Sequence, residues 1–267
     1  MLLIENSKRL LAVRIMVINL DTAVDRLSFV AQQLAGYEFE RVRAVNGRTN
    51  PPKDWSKGRL SPLERALVES HRQCWRDLLD SEDTAACILE DDVFISKDFI
   101  AFMRNIDWIP KDADTVKLES FEQRCWLGDP LTNFNKRSVM RLNSGTLGIA
   151  AYIITRRGAE YLLTTETSSK PLDFFMFNGA ILAHRKIYQI TPALCQQGQV
   201  MANRRPVPDF LLSQLDRHKA PRKKILNILL REFMRPWFQL IGILNYSLTR
   251  FRFGIFKRGK RVLVSFK

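Results

Sequence analysis

The chain predicts an α/β domain, a mainly parallel sheet flanked by helices, followed by a basic amphipathic helical tail. Three observations lead there. β-Branched apolar runs of strand length alternate with segments of helical period, the pattern of a sheet covered on both faces. The 267 residues are 46% hydrophobic, enough for a full core, and about 200 to 220 residues suffice for one such domain. The net charge of +14 is lopsided: residues 216–267 carry 14 Lys or Arg against Asp216 and Glu232, a net of +12, which leaves +2 for residues 1–215. The expected division is therefore a main domain over 1–215 and a tail over 216–267.

Residues 14–20, Arg-Ile-Met-Val-Ile-Asn-Leu, read as a buried strand, and Asp21 or Thr22 can cap a helix over 23–35 that stops at Gly36. A second strand covers 38–45, with turn chemistry at Asn46-Gly47 and Pro51-Pro52. Ser61-Pro62-Leu63-Glu64 combines an N-cap, a proline in the first turn and a Glu that can close a capping box, so a helix runs from there to Leu79. A strand over 85–90 drives into Glu90-Asp91-Asp92, and a helix begins across Lys97 to Met103. Further strands are expected at 114–118, 137–142 and 149–155, then a short helix from Arg156 and an apolar segment at 174–182 behind Pro171-Leu172-Asp173. Ligands of such sheets bind beyond the carboxyl ends of strands. Asn19 and Asp21 after the first strand, and Glu90 and Asp92 after the 85–90 strand, are therefore expected to line one crevice.

Composition excludes several classes. Cys74, Cys87, Cys125 and Cys195 stand far apart with no C-x-x-C pair and no His at zinc-ligand spacing, so structural zinc is not expected. Cys74 and Cys87 read as reduced core thiols of a cytosolic protein, although four cysteines could still form two disulfides. Glu5, Lys8, Arg9 and Arg14 interrupt the apolar N-terminus, which argues against a signal peptide. No uncharged apolar stretch reaches the roughly 18 residues of a spanning helix. With the positive charge gathered in the tail, the main domain does not read as a nucleic-acid binder.

The acidic triplet is the most informative feature. In a strand, Glu90 and Asp92 share a face and Asp91 points the other way. Two hard oxygens on one face suit Mg²⁺ or Mn²⁺ with a diphosphate and water completing the shell. The competing reading is a solvated loop, because a short motif carries meaning only in context.

That context comes from the order of several elements. Val17-Ile18-Asn19-Leu20-Asp21 is followed by Asp25-Arg26, then by Phe39-Glu40-Arg41-Val42-Arg43-Ala44-Val45-Asn46-Gly47 and by Leu60-Ser61-Pro62-Leu63-Glu64 with Ser70-His71. Ile88-Leu89-Glu90-Asp91-Asp92-Val93 comes next, then Gly145-Thr146, Ala151-Tyr152-Ile153-Ile154-Thr155 and Pro171-Leu172-Asp173. Over residues 14–200 this succession resembles glycosyltransferase family 25, the lipooligosaccharide and lipopolysaccharide galactosyltransferases. Two departures stand out: Arg65-Ala66-Leu67-Val68-Glu69-Ser70-His71 replaces the family's Gly-Cys-Ala-Leu-Ser-His type of core, and Leu147 to Ala150 are extra residues before the later strand. The resemblance implies a GT-A-like (Rossmann-like) fold, a nucleotide-sugar donor, usually UDP-galactose, and a divalent metal, Mn²⁺ or Mg²⁺.

In that setting Glu90 and Asp92 are the expected metal ligands, Asp92 foremost, because a leaving diphosphate needs its developing charge neutralised. Asp91 is expected at the donor, directly, through water or at the ribose. An inverting transfer also needs a base beside the acceptor hydroxyl, and Asp173 is the candidate; its alternative is a helix cap before Phe174. Asn19 can offer a donor and an acceptor to a base or ribose and Arg26 can pair with phosphate, unless both only brace the first helix. Glu64, Ser70 and His71 are further donor-binding candidates, against a capping box for Glu64 and a structural place for His71. Lys117 and Glu119 share one face of a strand, with a mere salt bridge as their simplest reading.

The tail sets Ile225, Leu229, Phe233, Trp237, Ile241, Leu244 and Leu248 in one helical stripe among Arg222, Lys223, Lys224, Arg231 and Arg235, with Pro236 dividing it. It suits an anionic membrane surface, where a lipid-linked oligosaccharide acceptor is found, or else packs on the domain. The expectation is a metal-dependent, inverting hexosyltransferase of lipooligosaccharide or lipopolysaccharide synthesis, peripheral on the inner face of the cytoplasmic membrane, with no nucleic-acid partner. The rivals are a non-catalytic membrane-surface or nucleic-acid binding protein, and a nucleotidyltransferase.

Overall fold

The computed structural model describes residues 12–49, 60–165, 170–179, 185–212 and 259–267. The chain divides into two compact units, residues 1–213 with 260–267, and residues 214–259; of the second, only Gly259 is among the described residues. The helical stripe expected over 222–248 lies outside the described residues, as do Pro51-Pro52.

In the first unit, β1 (Arg14–Asn19) lies parallel between β2 (Glu40–Arg43) and β3 (Ala85–Glu90). Helix α1 (Val24–Gln33) links β1 to β2, and α2 (Pro62–Leu79) precedes β3. The two-residue period of the strands builds a core on each face. Ile15, Val17, Cys87 and Leu89 pack with Val30 and Leu34, while Met16, Ile18, Ala86 and Ile88 pack with Trp75 and Leu78 of α2. Burial on both faces is why these strands read as unbroken apolar runs.

The start of α2 follows from its sequence: Ser61 Oγ accepts from the Glu64 amide at 3.3 Å while Glu64 Oε2 accepts from the Ser61 amide at 2.8 Å. The start of α1 departs from expectation. Its N-cap is Ala23 without a side-chain cap. Asp21, expected there, is drawn off by two guanidinium groups, Arg41 at 2.5 Å and Arg43 at 2.6 Å.

The mainly parallel sheet is corrected to a mixed one. β8 (Ala151–Thr155) runs antiparallel between β3 and β5 (Thr115–Lys117). Beyond β5, which is parallel to β9 (Ile187–Thr191), come β7 (Arg137–Leu142), β6 (Arg124–Phe134) and β11 (Lys260–Leu263), each antiparallel to its neighbour. After α3 (Phe99–Met103), β5 to β8 follow one another with no helix between them, and strands joined without a crossover helix favour antiparallel neighbours. Asn135 and Lys136, at φ 47° and 62°, close the β6–β7 hairpin in the left-handed conformation that a two-residue hairpin turn requires.

β4 (Val93–Ile95) and β10 (Cys195–Gln197) form a small separate sheet, and α4 (Arg156–Thr164) packs beside α2. The last residues, grouped with the tail from composition, return to the main sheet: β11 pairs with β6, and Ser120 and Arg137 donate to the carbonyls of Val264 and Lys267. All four cysteines are free and buried. Among the described residues no helix is long and apolar enough to cross a membrane.

Candidate active site at the strand ends

β1, β3 and β5 end on the same edge of the sheet, where β8 begins. Glu90 is the last residue of β3, and Asp91 and Asp92 form the turn into β4. The turn separates the three carboxylates. Asp91 faces Asn19 Nδ2 at 2.7 Å and Arg26 Nη1 at 3.0 Å. Glu90 and Asp92 face the other way, where Gln197 Nε2 lies 3.1 Å from Asp92 Oδ2 and 3.5 Å from Glu90 Oε2. Gln197 is carried there by β10, and Gly198 anchors the turn by donating its amide to the Asp92 carbonyl at 2.7 Å.

Electrostatics differ across that divide. Burial, then the nearby Glu119 and Asp91, push the Glu90 carboxyl up to about 8. Burial and the Glu90 charge hold Asp92 well above the usual carboxylate range. Asp92 Oδ1 is buried without a hydrogen-bond partner, while the Glu90 side chain keeps 17% exposure and so an opening to solvent. Two carboxylates that resist ionising side by side are short of positive charge.

His71, in the middle of α2, approaches Glu90 from the opposite core. Trp75 Nε1 donates to Tyr152 Oη at 2.9 Å, and Tyr152 Oη lies 2.9 Å from His71 Nδ1. Indole can only donate, so the tyrosine hydrogen is directed to Nδ1, and the remaining imidazole proton belongs on Nε2. That nitrogen stands 3.6 Å from Glu90 Oε1 with no hydrogen bond made. Burial drives the His71 pKa down to about 3, so the ring is neutral.

Lys117 and Glu119, at the end of β5, are 1% and 0% exposed and paired at 2.8 Å. Burial lowers the Lys117 pKa, and Glu119 opposes that shift. Glu119 Oε1 also accepts the Ala150 amide at 2.9 Å, whereas Oε2 is buried and unpartnered.

Other sequence candidates are committed within the protein. Arg26 also donates to the carbonyls of Phe210 and Leu212, and Asn19 Oδ1 accepts from Arg41 Nε at 2.9 Å. Glu64 closes the α2 cap. Ser70 Oγ donates to the Ala66 carbonyl and accepts the Val45 amide. Asp173 sits in the first turn of a short helical segment, Leu172–Phe174, with its Oδ1 accepting the Phe174 amide at 2.7 Å and its charge felt at Lys117. An open groove lined by Arg14, Tyr37, Glu40 and Asp83 lies at the opposite end of β1, away from this chemistry.

Glu119, Tyr152 and Gln197 were not assigned from sequence. Lys117 and Glu119 carried a signal, two charges on one face of a strand between Val116 and Leu118; Gln197 carried none. Among the described residues no group of three or more His, Cys, Asp or Glu is arranged to hold a metal ion. Glu90 and Asp92, raised and partly unpartnered, fit instead a hard divalent ion held by two carboxylates, with substrate oxygens and water supplying the rest.

The sequence profile of Glycosyltransferase family 25 (LPS biosynthesis protein) matches residues 12–176, which contain every residue of this cluster except Gln197. The lacto-N-neotetraose biosynthesis glycosyltransferase LgtE of Neisseria meningitidis serogroup B is 31% identical over 150 residues, 52% of this chain and 54% of that protein. A putative glycosyltransferase of Haemophilus influenzae is 29% identical over 193 residues, 70% of this chain and 67% of that one. The lipooligosaccharide biosynthesis protein lic2B of Haemophilus influenzae is 25% identical over 64% of this chain and 65% of its own length. The LgtE match thus spans only about half of that relative's length.

Proposed function

Because this chain belongs to glycosyltransferase family 25, we propose that it transfers a hexose from a nucleotide sugar, UDP-galactose foremost, to a saccharide acceptor in lipooligosaccharide or lipopolysaccharide synthesis. The observation that carries the reading is the Glu90–Asp92 pair at the end of β3, short of positive charge and open to solvent at Glu90. The relatives named for lacto-N-neotetraose and lipooligosaccharide biosynthesis support the acceptor class. The parallel β1–β2–β3 corner is the part of the fold that supports a GT-A-like assignment.

Glu90 and Asp92 would hold Mn²⁺ or Mg²⁺, which supplies neutralisation of the charge developing on the leaving diphosphate. Asp91 with Asn19 and Arg26 braces the turn that presents the pair. His71 presents Nε2–H toward Glu90. Glu64 caps α2, and Ser70 seats it against the Val45 amide.

In the inverting reaction, the acceptor hydroxyl oxygen bonds to the anomeric carbon as the bond from that carbon to the diphosphate oxygen breaks. The hydroxyl proton passes to the Asp173 carboxylate, and the electron pair of the broken bond leaves with the nucleoside diphosphate. The basic amphipathic sequence of the tail would hold the enzyme on the anionic inner face of the cytoplasmic membrane, beside a lipid-linked acceptor.

The test is a donor screen with Mn²⁺, comparing UDP-galactose, UDP-glucose and UDP-N-acetyl sugars. Release of UDP from one donor, lost in Asp92→Asn, is expected. Release of pyrophosphate would identify a nucleotidyltransferase, and no release from any donor would leave a binding protein.

A further inference from the structure

Lys117 stands where three segments meet. Its ammonium group pairs with Glu119 Oε1 at 2.8 Å, donates to the Gly148 carbonyl, and lies 4.6 Å from the ring centre of Phe177. Glu119 Oε1 in turn takes the Ala150 amide at 2.9 Å, and the Ala150 carbonyl takes the Glu90 amide at 2.8 Å. The pair is thereby connected, through two hydrogen bonds and one residue of backbone, to the strand end that presents Glu90.

The same loop is tied to the segment that carries Asp173. Asn178 crowds Gly145 so closely that a Cβ there would fall 1.5 Å from Asn178 Oδ1, and Asn178 Nδ2 points at the Thr146 carbonyl. Gly148 is at φ +87°, and a Cβ there would lie 2.6 Å from Glu119 Oε1. Only glycine allows the backbone to sit against that carboxylate. A buried ion pair contributes little net stability, since desolvation offsets most of its attraction. Its placement between two functional segments calls for another explanation.

We propose that the Lys117–Glu119 pair is a positioning device, which locks the 145–150 loop and the segment carrying Asp173 in register with Glu90. It holds the acceptor side of the reaction against the donor side. Gly148 and Ala150 supply the carbonyl and amide that the pair grips. This rests on the transferase reading above, with Asp173 on the acceptor side.

The decisive variant is the doubly neutral Lys117→Met/Glu119→Gln, which leaves no buried charge unpaired and keeps an acceptor for the Ala150 amide. Two readouts separate positioning from bulk stability. First, hydrolysis of UDP-galactose with Mn²⁺ is compared with transfer to octyl glycosides of glucose and N-acetylglucosamine. The variant is expected to lose transfer at least about tenfold more than it loses donor hydrolysis. Second, amide hydrogen exchange over 172–179 is expected to rise at least about tenfold while α1 is unchanged. Transfer and hydrolysis falling together, or 172–179 exchanging at the wild-type rate, overturns the proposal. If wild-type protein neither transfers nor hydrolyses, the transferase reading has failed, and the exchange measurement alone decides whether the pair positions this segment.

Discussion

Asp91 and its two neighbours belong to one turn of chain but meet opposite surroundings. On one side Asp91 is enclosed by Asn19 and Arg26, and Arg26 spends its remaining donors on the carbonyls of Phe210 and Leu212. On the other, Glu90 and Asp92 share the neutral donor Gln197, beside a neutral His71 and the further carboxylate of Glu119, and Arg26 Nη1 reaches Asp92 Oδ2 only at 3.8 Å. The first region is electrostatically finished. The second is held short of positive charge, which a proton or a bound cation can supply. The strand period sets Asp91 apart from the other two; their partners distinguish a brace from a candidate binding site.

The sharpest way to break this contrast is substitution within the triplet. Asp92→Asn is expected to lower UDP release with Mn²⁺ by on the order of 100-fold or more. Thermal melting should stay at or above the wild-type midpoint, because a repelling carboxylate is gone. Asp91→Asn should do the reverse. It leaves Arg26, at 9% exposure, with only the more distant Asp92 carboxylate at 3.8 Å, and should cost about 3 kcal/mol in urea unfolding, with activity per folded molecule largely kept. Equal effects of the two variants would erase the distinction.

The pH dependence of the protein without divalent cation sharpens it next. Burial, with Glu119 and Asp91 nearby, pushes the folded Glu90 carboxyl up to about 8 from its ordinary value of 4.5. The folded state therefore holds a proton that the unfolded chain releases between those values. Its contribution to stability is complete below about pH 4.5 and is lost as pH rises through about 8. Urea unfolding followed from pH 5 to 8.5 should show that decline in wild type and a flatter profile in Glu90→Gln. Added Mn²⁺ should stabilise more as pH rises, since binding displaces the proton.

The smallest effect concerns Glu64, a residue with two readings. Ser61→Ala removes the reciprocal cap and should cost about 1 kcal/mol of stability while leaving donor KM unchanged. A raised donor KM would return Glu64 and its cap to the substrate side.

The β1–β2–β3 corner was legible because its strands are buried on both faces, so Ile15 to Ile18 and Ala86 to Leu89 form unbroken apolar runs bounded by caps and turns. The antiparallel wing was less so. β6 mixes Gly128, Asp129 and Pro130 with half-exposed positions and two register shifts, and the Asn135-Lys136 turn lacks the glycine that usually marks a hairpin. Val262 to Val264 were hidden by the charges around them, although their strand closes the sheet edge. At the site, the strand period separated Asp91 from Glu90 and Asp92 before any partner was visible. Arg26 was legible as an anion partner, but its anion proved to be Asp91. Gln197 arrives from more than 100 positions away, and only the fold brings it to the carboxylates.

The central claim is that Glu90 and Asp92, and not Asp91, form the cation site. Electron paramagnetic resonance of Mn²⁺ titrated into the protein with UDP tests it directly. The account predicts one bound Mn²⁺ per chain in wild type and in Asp91→Asn, and none at the same concentrations in Glu90→Gln or Asp92→Asn. Undiminished Mn²⁺ binding by folded Asp92→Asn would contradict it.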